Sequence, residues 1–147
     1  MTTEPADLRA FHADRVAEFR ANGGRLNPPL DAVPLLVLTT IGARSGRPHA
    51  TPMTYTRDGD RLIVIAAAGG APTHPAWYHN LRANPAVTVE IGTDTYAATA
   101  TIPAGAERDR LLAWATDAWP LLIEHQATTA LPIPLVVLQR QPNGAAA

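Results

Sequence analysis

One stretch limits the fold of this chain more than any other: residues 66–85, Ala-Ala-Ala-Gly-Gly-Ala-Pro-Thr-His-Pro-Ala-Trp-Tyr-His-Asn-Leu-Arg-Ala-Asn-Pro. An apolar strand, Leu62 to Ala67, runs into Gly69-Gly70. A short helix then opens with Pro75 in its first turn, where a missing N–H costs nothing. Asn84-Pro85 ends it, because the residue before a proline is pushed out of helical geometry. The glycines let the backbone approach something closely, and the helix N-terminus points bare N–H groups the same way. Trp77, Tyr78, His79 and Asn80 crowd ring faces and hydrogen-bonding groups onto little more than one turn, which suits a flat, anionic ligand with polar edges. The i,i+4 spacing of Trp77 and Leu81 reads equally as plain core.

A chain of 147 residues fits one domain, 1–147, and is long enough to bury a core. The net charge of −1 carries no basic stripe, which argues against a nucleic-acid partner. No apolar run approaches the ~18 residues of a membrane span and no signal peptide opens the chain, so a cytoplasmic protein is expected. All twelve basic residues are arginines, so no lysine is available for a Schiff base. There is no cysteine, and Ser45 is the single serine, outside any G-x-S-x-G elbow. The five histidines, His12, His49, His74, His79 and His125, show no metal-ligand spacing, and no metal is expected. Asp58, Asp60, Asp94, Glu107 and Asp109 fall in turns or helix starts, where carboxylates cap and solubilise. A chain this poor in nucleophiles, if an enzyme, leaves the chemistry to a cofactor.

Residues 5–22 read as an amphipathic helix, with Leu8, Phe11, Val16 and Phe19 near one face and Gly23-Gly24 as the stop. The helix either packs on the body or lies on an anionic membrane surface, and the short apolar stripe favours packing. Leu35 to Ile41 is a buried strand. Thr51, Met53 and Tyr55 alternate along a second, with Pro52 marking an edge or bulge. Asp58-Gly59 turns the chain into the strand from Arg61. Val87 to Ile91 and Tyr96 to Ile102 form a hairpin around Gly92-Thr93-Asp94. A helix follows from about 107 to 118, broken at Pro120, then a short helix to about 128 and a last strand from Ile133 to Leu138. Residues 141–147 are expected to fray. About six strands in meander order, without a βαβ repeat, imply an α+β fold: a small, mostly antiparallel barrel over about 33–140 with helices outside.

Gly42-Ala43-Arg44-Ser45-Gly46-Arg47-Pro48-His49 puts two guanidiniums, a hydroxyl and flexible backbone into eight residues. Successive N–H groups in such a turn can nest an anion, and arginine forks match phosphate or carboxylate oxygens. A solvated hairpin turn is the alternative.

Phe19-Arg20-Ala21-Asn22-Gly23-Gly24, Leu36-Val37-Leu38-Thr39-Thr40, Gly42-Ala43-Arg44-Ser45-Gly46, Pro75-Ala76-Trp77-Tyr78-His79-Asn80-Leu81 and Ile133 to Leu138 stand in the order of a known family. From about residue 8 to 140 the chain resembles the deazaflavin (coenzyme F420)-dependent nitroreductases, actinobacterial and related proteins. The resemblance implies a split β-barrel of the FMN-binding-like kind. It also implies hydride transfer from reduced F420 to a hydrophobic quinone, nitro or activated-alkene acceptor. Carried over, Ala43, Arg44 and Ser45 hold the cofactor's phosphate and glutamate tail. His49, Ala50, Thr51, Pro52, Met53 and Thr54 run beside it, Ile65, Ala66, Ala67 and Ala68 line the deazaflavin, and Ala76, Trp77, Tyr78, His79 and Asn80 pack near it.

Two departures stand out. Where relatives often read Ser-Lys-Gly-Gly, this chain has Ala67-Ala68-Gly69-Gly70, which leaves Arg44 and Arg47 as the compensating cations. Where some quinone-reducing members place tyrosines over the substrate, the matching positions are Thr54, Trp119, Leu122 and His125, with His125 the remaining candidate proton donor. Trp114, Trp119 and Leu122 would form an apolar wall. The rival readings are an FMN enzyme and a non-catalytic F420- or lipid-binding protein. A flat barrel face is suited to a symmetric homodimer.

Overall fold

The computed structural model describes residues 6–28, 34–66, 75–118 and 134–141, with 6–12 and 114–118 as backbone. Helix α1 (Ala6–Ala21) is followed by strands β1 (Leu35–Ile41), β2 (Pro48–Thr54), β3 (Thr56–Asp58) and β4 (Arg61–Ile65). Helix α2 (Ala76–Ala83), strands β5 (Ala86–Ile91) and β6 (Asp94–Thr101), helix α3 (Gly105–Ala118) and strand β7 (Leu135–Arg140) complete the order. The seven strands form one sheet in the order β2-β1-β5-β6-β7-β4-β3, every ladder antiparallel.

The two edge strands are neighbours in sequence. β2 ends at Thr54 and β3 begins at Thr56, so Tyr55 alone links one edge of the sheet to the other. Laid flat, six strand spacings would separate those edges by roughly 29 Å. A one-residue link cannot cross that distance, so the sheet curls until its edges converge. The Tyr55 N–H also donates to the Pro34 carbonyl (3.4 Å).

Curling divides the side chains between an inner and an outer face. Leu36 and Leu38 of β1, Leu62 and Val64 of β4, Val87 and Val89 of β5, Ala98 of β6 and Val136 and Leu138 of β7 join one inner core. Alternation sends Val37 outward to meet Val16 and Phe19 of α1 and Leu26. It likewise sends Ile63, Leu135 and Val137 outward to meet Leu111 of α3. Each fully buried Leu or Phe contributes on the order of 2 kcal/mol. Helix α1 therefore packs on the barrel through the described part of its apolar face. No described helix is long and apolar enough to cross a membrane.

The elements differ from the sequence reading at several points. There are seven strands rather than six, because Thr56–Asp58 pairs with β4. Pro75 is the N-cap of α2, with φ −66° and ψ 156°, and the helix begins at Ala76. The 107–118 helix begins at Gly105, and the last strand runs Leu135–Arg140. Pro52 does lie in an edge strand, opposite Val37. Asn84 caps the C-terminus of α2, its N–H bonded to the Asn80 carbonyl (2.9 Å). The expected helix to about 128 lies outside the described residues.

Candidate functional site

Among the described residues, the β1–β2 connection is the turn richest in charged and polar side chains. Its closure comes from two backbone bonds, Gly42 N–H to the Arg47 carbonyl (2.8 Å) and Gly46 N–H to the Gly42 carbonyl (3.0 Å). Gly46 takes φ +69°, which an L side chain resists. Inside the turn the Ser45 hydroxyl accepts from the Arg47 N–H (3.1 Å) and lies 3.3 Å from His49 Nε2. Gly42 is needed for space: a Cβ there would stand 2.4 Å from Ser45 Oγ and 2.8 Å from His49 Nε2.

This geometry suits an anion. Arg44, Ser45 and Arg47 are exposed, and among the described residues neither guanidinium is held by a carboxylate. The guanidiniums that pair with acids lie elsewhere: Arg15 with Glu18, Arg20 with Glu90, Arg61 and Arg110 with Asp58 and Glu107, and Arg140 with Asp94. Two unspent forks beside a serine hydroxyl match the oxygens of a phosphate or carboxylate tail.

Helix α2 crosses this end of the barrel. Trp77, Tyr78 and Leu81 enter the inner core, with Trp77 only 6 % exposed. The Tyr78 ring meets His79 edge-on, centroids 5.9 Å apart, and lies under the Arg82 guanidinium at 5.7 Å. Asn80 is also buried. Its Oδ1 accepts from the Ala43 N–H (3.0 Å), and its Nδ2 donates to the Thr40 hydroxyl (3.2 Å). Thr40, Thr51 and Asn80 are the buried polar residues among those described. Thr40 pairs with His49 and Leu38 with Thr51, so all four polar groups gather at the turn end of an otherwise apolar inner face.

The residues expected to line a cofactor divide accordingly. Ala43, Arg44, Ser45 and His49 stand together in and beside the turn. Alternation along β2 puts Thr51 and Met53 on the inner face, whereas Ala50 packs outward toward α1, with Pro52 and Thr54 on its side. Thr54 is also at the far end of β2, about 20 Å from Pro48 at strand spacing. Ala66 points into the inner core, and Ile65 packs outward on the α3 side. A contiguous lining from 49 to 54 or from 65 to 66 is thus split between two faces. Ala67, Ala68, Trp119, Leu122 and His125 lie outside the described residues, and Trp114 is described as backbone alone. No cluster of metal-ligating side chains occurs among the described residues.

One ion-pair network went unread in the sequence. Asp58 accepts from Arg61 and from Arg110 (3.0 Å), and Glu107 accepts from Arg61 (3.4 Å) and Arg110 (3.3 Å). It joins the β3–β4 hairpin to the first turns of α3. The Arg110 bond holds both carboxyls below their ordinary values, Arg61 adding to the effect. These carboxylates are engaged by arginines and lie at the hairpin end, opposite the β1–β2 turn.

Comparison with known proteins identifies the family and the fold. Residues 12–140 match the family described as F420H(2)-dependent quinone reductase. An F420H(2)-dependent quinone reductase of Mycobacterium tuberculosis is 37% identical over 136 residues, covering 85% of this chain and 87% of that protein. Among solved structures, an F420-H2 dependent reductase (FDR-A) superposes with a TM-score of 0.66 at 34% identity, covering 72% of this chain and 94% of its own. A chain solved as a domain-swapped dimer superposes at 0.69 with 30% identity, covering 92% and 100%. The fold is the α+β split barrel of these neighbours, and the chain belongs to the F420H(2)-dependent quinone reductase family.

Proposed function

We propose that this reductase holds the anionic tail of coenzyme F420 in the Gly42–Arg47 turn and presents it to a hydrophobic quinone. The observation that carries the assignment is the pair of guanidiniums, Arg44 and Arg47, that no described carboxylate engages, in a turn whose Gly42 leaves room for Ser45 and His49. When bound, the reduced deazaflavin supplies a hydride that, with one proton from solvent, converts a quinone to its hydroquinone.

The chain's own contribution is binding and orientation. Arg44 and Arg47 neutralise the tail and Ser45 offers a hydroxyl donor. The buried rings of α2 keep the barrel dry behind the site. Nitro compounds and activated alkenes remain candidate acceptors, since they accept hydride in the same way. The buried Val16 and Phe19 support packing of α1 on the barrel. Similarity to a domain-swapped dimer supports a homodimer, which light scattering tests.

The deciding experiment is a fluorescence titration with oxidised F420, run in parallel with FMN, followed by addition of a soluble quinone to enzyme loaded with reduced F420. Saturable binding of F420 alone and quinone-dependent reoxidation are expected. Binding of FMN alone overturns the cofactor assignment. Binding without turnover across a broad acceptor panel points to a carrier protein.

A further inference from the structure

We infer that Asn80 is a positioning residue for the anion-binding turn rather than a contact to the cofactor. The inference rests on the reading that this turn takes the F420 tail. Asn80 is 5 % exposed, and both ends of its carboxamide are committed within the protein. The Ala43 N–H can only donate, so the atom facing it must be Oδ1, which turns Nδ2 toward Thr40. Thr40 lies in β1, fully buried, so the amide bolts α2 to the strand and to the turn at once.

Ala43 directly precedes Arg44 and Ser45. Anchoring its N–H sets the plane of that peptide and so the direction in which the next two residues leave it. A short turn of exposed residues would otherwise sample many conformations, and each would aim the guanidiniums differently. Ordering the turn before the ligand arrives removes that entropic cost from binding. Removing the carboxamide should therefore weaken the tail contacts selectively and leave the ring end of the ligand untouched.

The test compares two probes by fluorescence titration: F420 itself and the deazaflavin nucleoside that lacks the phosphate-and-glutamate tail. Asn80→Ala is expected to weaken F420 about tenfold, the scale of one misplaced charge-assisted contact, with nucleoside affinity changed less than about twofold. Thr40→Val, which keeps the Ala43 bond but frees the other end of the amide, should show the same selectivity at smaller size. It also carries the test should Asn80→Ala fail to fold. Equal weakening of both probes overturns the inference by making Asn80 a ring contact or a general support. Unchanged F420 affinity in both variants overturns it as well. A wild-type protein that binds FMN but not F420 removes the underlying reading, and the inference with it.

Discussion

Gly24 and Gly92 meet backbone to backbone: a Cβ on Gly24 would stand 2.0 Å from the Gly92 carbonyl oxygen. The contact seats the end of α1 on the β5–β6 hairpin. Gly23 takes φ +65°, and the Gly24 N–H closes the helix on the Phe19 carbonyl (2.8 Å). Gly24→Ala, at φ +93°, must both strain the backbone and displace a carbonyl. It is expected to cost about 2–4 kcal/mol in urea unfolding. Gly23→Ala, whose Cβ would meet only Thr93 Cγ2 at 3.8 Å, should cost about 1 kcal/mol.

Beside that contact, Arg20 and Glu90 form a two-point pair, Nε to Oε1 at 2.9 Å and a terminal nitrogen to Oε2 at 2.7 Å. Arg20 is half exposed, so solvent screens the pair despite its good geometry. A double-mutant cycle of Arg20→Ala and Glu90→Ala should return a coupling of about 0.5–1 kcal/mol that shrinks in high salt.

In the anion turn, Arg44→Ala and Arg47→Ala should each weaken F420 binding about tenfold at low salt while leaving the melting temperature nearly unchanged. Raising the ionic strength should erode wild-type affinity more than that of either variant. Equal salt dependence in all three proteins would remove the guanidiniums from the tail site.

Gly42→Ala tests the space in the same turn. With a Cβ at 2.4 Å, Ser45 Oγ must move, and His49 with it. The expected result is weaker F420 binding with a stability loss of about 1–2 kcal/mol, measured by titration and urea unfolding. Unaltered affinity would show that Ser45 and His49 do not contribute to the tail site.

The acid response follows from Asp58 and Glu107. Arg110 first, then Arg61, depresses both carboxyls in the folded protein. The unfolded chain therefore takes up protons more readily. The network's contribution is complete above the unfolded values and is lost as pH falls through the folded ones. Urea midpoints should drop from about pH 4.5 downward, and Asp58→Asn should flatten that decline.

The features legible in the sequence were the ones its local chemistry decides. Asp58-Gly59 and Gly92-Thr93 turned where expected, Gly23-Gly24 stopped α1, Asn84-Pro85 stopped α2, and the Leu35–Ile41 strand stood out by its unbroken branched residues. Strand β3 escaped because three residues, Thr56–Asp58, carry no readable alternation. Strand order was also hidden, since β1 pairs with β5 and β4 with β7 across long stretches of chain. At the site, the Arg-Ser-Gly-Arg turn stood out by composition. The commitment of Asn80 did not, because its partners Thr40 and Ala43 stand 40 and 37 residues away. Asp58 and Glu107 looked like isolated surface acids for the same reason, each being joined to an arginine of a different element.

Strand β7 has a consequence for how the protein is made. It pairs with β6 on one side and β4 on the other, yet it is the last strand in sequence among those described. A nascent chain emerging from the ribosome can assemble β2-β1-β5-β6 and the β3–β4 hairpin, but these remain two pieces until Leu135–Arg140 has left the exit tunnel. Until then the facing edges of β6 and β4 expose unpaired amides beside Leu62, Val64 and Ala100. The interval before β7 arrives is when the chain is most open to mispairing with another copy.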